Sequence, residues 1–134
     1  KTMTINIFKK IILLQVFIFL SIFLLVIVED TFFPYEEVEY NDTTIEVVIY
    51  LVYILLLPFM WYCLYKLRRI GKKLFIFYLI FGFISHFLFS LESYNVTTVT
   101  SITPLFEFSE NAYGLLDGVI LAFLFFTDVK EKFE

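Results

Sequence analysis

Between Lys10 and Glu29 the chain runs for 18 residues without a charged side chain, and between Lys73 and Glu92 it does so again over another 18. An α-helix of that length rises ~27 Å, close to the ~30 Å hydrocarbon thickness of a bilayer. A soluble domain of this size has too much surface for its volume to hide such runs. The whole chain agrees: 134 residues are 60% hydrophobic and 22% aromatic, with a mean hydropathy of +0.87. Soluble domains hold nearer ~45–50% apolar residues. The expected class is an all-α integral membrane protein, a single domain over residues 1–134.

The charges divide the chain. Five of the eight residues 66–73 are cationic, namely Lys66, Arg68, Arg69, Lys72 and Lys73. They cannot follow their neighbours into hydrocarbon, so this stretch is expected to fold the chain back at a membrane surface. Spans are expected at about 11–28, 45–65, 74–91 and 110–127, with an acidic loop at 29–44. The first run has the basic start and apolar middle of a signal peptide. It lacks a small-residue cleavage site and exceeds the usual apolar region, so it is expected to stay as an anchor. Backbone groups in lipid must bond internally, which leaves helix as the available structure.

Pro58 removes one backbone hydrogen bond from the second span and is expected to kink it. Trp61, Tyr62 and Tyr65 then read as an aromatic girdle at the headgroup layer. Thr103 and Pro104 suit an N-cap and first helical position. From there one helix could run to Thr127, or residues 104–108 could form an interfacial helix with Ser109 capping the real span. All ten Lys and Arg lie near the N-terminus (Lys1, Lys9, Lys10), in 66–73, or near the C-terminus (Lys130, Lys132). The positive-inside rule turns this into a four-transmembrane-helix bundle, N-in and C-in, with acidic loops outside.

Few residues in the spans could carry chemistry. Gly114, Gly118 and Ala122 repeat at i, i+4 and i+8, a small-xxx-small face that lets helix backbones approach closely. Such a face packs within a bundle or docks another membrane protein or copy; Gly82 is a further small packing position. Asp117 lies between the two glycines, and Glu110 precedes it by two turns. An acid in a span costs ~2.5–3.5 kcal/mol at the bilayer centre, so it calls for a partner or water. His86 has a similar depth in the preceding span. With Ser85 and Glu110 the pair could form a proton or cation site, because histidine titrates near neutral pH; the alternative is a hydrogen bond pinning two helices. Gln15 and Cys63 stand alone and receive no role.

The cations Lys66, Arg68, Arg69, Lys72 and Lys73 could hold lipid headgroups, or act only to set topology. A single cysteine and a single histidine leave no metal site, and no phosphate loop or nucleophile triad is present. No cofactor, catalytic residue or nucleic-acid partner is expected. Asn41 and Asn95 match the N-glycosylation pattern on the expected outside.

Residues 64–73 (LYKLRRIGKK), 115–122 (LLDGVILA) and the tail 125–134 together resemble small uncharacterised four-span bacterial inner-membrane proteins, over about the last two-thirds of the chain. The resemblance implies a compartment, the inner membrane, and no activity. Membrane immunity proteins against pore-forming toxins share this size and span number without a shared motif. The expected function is non-enzymatic: helix docking on a larger membrane partner, as an accessory or immunity-type protein. The alternative is a small proton- or cation-coupled transporter or channel subunit using His86 and Asp117.

Overall fold

The computed structural model describes residues 2–32, 44–92 and 103–133. They form four helices, α1 (Thr2–Phe32), α2 (Thr44–Tyr65), α3 (Arg69–Glu92) and α4 (Thr103–Phe126), followed by a 3₁₀-helix (Asp128–Lys132). Among the described residues three stretches are long and apolar enough to cross a membrane: Met3–Val28, Val48–Tyr65 and Glu107–Phe126. α3 is not among them; it carries Arg69, Lys72 and Lys73 in its opening turns and Glu92 at its end, around the uncharged residues 74–91. Large apolar side chains face outward on every helix, with Phe17 at 66%, Leu55 at 74%, Phe83 at 75% and Phe126 at 86% exposure. Soluble monomers rarely show apolar surface on that scale.

The helices outrun the expected spans. α1 has 31 residues, and Lys9 and Lys10 lie inside it, because a charge marks where hydrocarbon stops and not where helical hydrogen bonding stops. Residues 29–32 of the expected acidic loop belong to α1 and Thr44 to α2. The rest of that loop, the connection at 93–102, and the Asn41 and Asn95 motifs lie outside the described residues. α4 takes the one-helix alternative. The Ser109 hydroxyl donates back to the Leu105 carbonyl at 2.9 Å, the mid-helix habit of serine, and does not cap a new start. α2 runs unbroken through Pro58 to Tyr65.

The chain divides into two compact units, one built on α1 with α4 and the other on α2 with α3. In the first, α1 and α4 run antiparallel. Phe8 meets Phe123 with ring centroids 5.8 Å apart, Gln15 meets Asp117, and Phe19 meets Tyr113 at 6.1 Å. The buried face of α1 is Phe8, Ile12 and Gln15, and that of α4 is Leu116, Ile120 and Leu124. Both sets have the three-to-four-residue spacing of a helix stripe. Thr127 ends α4. Its hydroxyl donates to the Phe123 carbonyl at 2.8 Å and accepts the Val129 N–H at 3.2 Å, turning the chain into the 3₁₀-helix.

In the second unit a tight turn joins α2 to α3. The Arg68 N–H bonds the Cys63 carbonyl at 2.8 Å and the Leu67 N–H bonds the Leu64 carbonyl at 3.0 Å. This paired closure is the Schellman pattern, in which glycine normally takes the left-handed position. Here that position is Leu67, with φ 53°. The expected eight-residue basic loop is thus a turn over 66–68, and Arg69, Lys72 and Lys73 already belong to α3. Just beyond, Gly71 touches α2 directly: a Cβ there would stand 2.9 Å from both the Cys63 carbonyl carbon and the Leu64 nitrogen. Further along, Tyr53 packs its ring on Phe81 at 5.2 Å and Tyr78 at 6.2 Å. A Cβ at Gly82 would lie 3.1 Å from the Tyr53 hydroxyl, so the tyrosine side chain sits close against this position. Met60, Cys63, Leu64 and Phe75 fill the core of this hairpin. Of the expected girdle, Trp61 is buried, Tyr65 half-buried and only Tyr62 exposed.

Candidate functional site

A side-chain hydrogen bond joins the two helices of the α1·α4 unit. The Gln15 side-chain amide donates from Nε2 to Oδ1 of Asp117 at 2.5 Å. Gln15 is completely buried, one helical turn from the buried Ile12 and two from Phe8. Asp117 is half-buried on the α1-facing side of α4. Phe8–Phe123 and Phe19–Tyr113 enclose the pair along the helix axis, one contact toward each end. In such apolar surroundings an amide bond to a carboxylate is stronger than in water, and losing either partner is correspondingly expensive.

Sequence reasoning gave Gln15 no role. Its signal was present, a lone amide in the middle of an 18-residue uncharged run, but no rule of spacing connects it to a residue 102 positions away. The other residues expected near Asp117 are placed as follows. His86 lies on α3, in the α2·α3 unit, and its side chain is outside the described residues. Ser85 is buried and donates its hydroxyl to the Phe81 carbonyl of its own helix at 2.7 Å. Glu110 is on α4 and exposed.

Gly114, Gly118 and Ala122 are exposed, and nothing lies within 4 Å of a Cβ placed on either glycine. At 100° per residue their ridge is centred roughly 160° around α4 from the buried face. The stripe therefore does not pack against α1. Within α2·α3 the close approaches fall at Gly71 and Gly82.

The third candidate is the α2–α3 turn. Lys66, Arg68, Arg69 and Lys73 are exposed and Lys72 half-buried. The Arg68 guanidinium lies over the Tyr62 ring, 5.1 Å from its centroid, with Nη2 3.4 Å from the Tyr62 hydroxyl. Compared with protein-family models, curated proteins and solved structures, the chain has no match in any of the three.

Among the described residues no three His, Cys, Asp or Glu side chains come together as a metal site would require. Cys63 is a free thiol, buried in the hairpin core. The Gln15–Asp117 pair can pin two helices or hold a proton, the glycine ridge can admit a second helix closely, and the cationic turn can hold an anion.

Proposed function

We propose that this chain is a four-span protein of the bacterial inner membrane, N-in and C-in, acting without catalysis. It docks the glycine ridge of α4 on a larger membrane partner, as an accessory or immunity-type subunit. The observation that carries this is the ridge itself: Gly114 and Gly118 are open to the outside on the face of α4 turned away from α1. Glycine inside a helix costs ~0.8–1 kcal/mol relative to alanine. Two of them four residues apart on an exposed face offset that cost only if another helix backbone approaches there, since association in lipid depends on close packing.

The topology rests on the antiparallel α1·α4 pair. It sets Lys9 and Lys10 of α1 at the same end as Lys130, and leaves Glu107 and Glu110 toward the opposite end. Basic residues mark the cytoplasmic side. The test is native purification in mild detergent with the complex weighed intact. Docking predicts a stoichiometric membrane partner that Gly114→Leu or Gly118→Leu removes and His86→Ala leaves in place. A bare homo-oligomer overturns the larger partner.

A second reading has one observation of its own, a carboxylate inside a membrane-length stretch bonded to a buried amide. It makes the chain a proton- or cation-coupled transporter or channel subunit built on Asp117 and His86. Proton flux in vesicles that Asp117→Asn and His86→Ala abolish supports it. Flux absent from the unaltered protein removes it.

A further inference from the structure

The cationic turn is more tightly built than setting topology requires. Any unstructured run of Lys and Arg fixes orientation, because the positive-inside rule depends on charge number and not on shape. Here the chain is closed over three residues by two backbone bonds, the Arg68 N–H to the Cys63 carbonyl and the Leu67 N–H to the Leu64 carbonyl. It holds a leucine at φ 53° to do so. The first turn of α3 is then locked on α2 by the backbone contact at Gly71, which no larger residue could make. Arg68 is held over the Tyr62 ring.

The placement of charge is equally specific. Arg69, Lys72 and Lys73 open α3, whose first turn has no acidic residue. Helix N-termini are already positive, so cations there raise the local potential further unless an anion lies beside them. Among the described residues Lys66, Arg69 and Lys73 make no ion pair. The membrane-length stretch of α2 ends at Tyr65, immediately before Lys66, which sets the cluster where hydrocarbon gives way to headgroups. Phe59, Tyr62 and Ile70 are exposed beside it, at 49%, 47% and 47%, and offer apolar contact to acyl chains.

We infer that the α2–α3 turn is a binding seat for the phosphate of an anionic phospholipid, with Arg68, Arg69 and Lys73 as its cations. This rests on the membrane reading above but not on the glycine ridge or any partner protein. The occupant is a lipid and not a free anion, because the cluster adjoins both the end of a membrane-length helix and exposed apolar side chains.

The full chain is reconstituted in phosphatidylcholine vesicles doped with phosphatidylglycerol, and the phosphatidylglycerol retained after mild extraction is counted by native mass spectrometry. Arg69→Gln/Lys73→Gln is expected to lower retention by roughly fivefold per cation. Lys130→Gln/Lys132→Gln, which removes the same charge elsewhere, is expected to leave it unchanged. A Gly-Ser pair inserted after Leu67 keeps every cation but opens the turn, and retention is expected to fall with it. Equal loss in the Lys130/Lys132 variant, or full retention in the opened turn, overturns the seat in favour of diffuse charge. Displacement of the lipid by inorganic phosphate alone also overturns it, assigning the cluster to a soluble anion. Release of the unaltered chain from membranes by alkaline carbonate is a different failure, that of the membrane reading itself.

Discussion

Gln15 is the residue on which the α1·α4 pairing turns. Its neighbours on the stripe, Phe8 and Ile12, would pack against many apolar faces, but its amide needs an acceptor at one height. Asp117 supplies it. Polar contacts between helices in lipid are worth ~0.6–2 kcal/mol, so Gln15→Leu should destabilise the protein by about 1–2 kcal/mol in micelles. The double variant Gln15→Leu/Asp117→Leu should cost less than the sum of the single changes, since it leaves no polar group stranded. A double-mutant cycle on reversible denaturation measures this. Strict additivity would show that the bond contributes nothing.

The four glycines of the chain separate at the level of elements into two kinds. Gly71→Ala drives a methyl into the α2 backbone, which cannot rotate away as a side chain can, and should cost about 1–3 kcal/mol. Gly114→Ala meets open space and should stabilise α4 by up to ~1 kcal/mol, through helix propensity alone. Leu67→Gly should also stabilise, by up to ~1 kcal/mol, because it removes a side chain from a left-handed backbone. Unfolding midpoints of the full chain in one detergent give all three. A neutral Gly71→Ala would mean that the hairpin contact is looser than its 2.9 Å approach implies.

These elements were legible in the sequence to unequal degrees. Uncharged runs and the basic stretch place four helices and a reversal somewhere within 66–73, since they follow from composition along one line. Which helix meets which does not. Sequence adjacency points Asp117 toward α3, whereas its hydrogen bond runs to α1. A helical glycine looks the same in sequence whether a neighbouring helix packs on it, as at Gly82, or open space faces it, as at Gly114. The span borders shifted for a related reason: Lys9 and Lys10 limit what enters lipid and place no limit on helix.

At the scale of the whole molecule, the antiparallel α1·α4 pair makes a test of sidedness possible. With Cys63→Ala as background, Lys10→Cys and Lys130→Cys should both react with a membrane-impermeant maleimide from the same side of sealed vesicles. Labelling from opposite sides would exclude the shared end of α1 and α4. In the unaltered protein Cys63 is completely buried and should react only after unfolding.

The pairing is also nested, with the α2·α3 hairpin lying in sequence between the two partners of the other pair. On the ribosome this sets a waiting time. α2 and α3 are joined by three residues and can close as soon as both have emerged. α1 is made first, yet Asp117 follows Gln15 by 102 residues, which is about 5–20 s of translation at common elongation rates. For that interval the Gln15 amide lacks the Asp117 acceptor it has in the finished fold. A nascent chain stalled before α4 should therefore be the form that quality-control proteases remove, and an insertase that shelters α1 should raise the yield of the finished protein more than one acting on the hairpin.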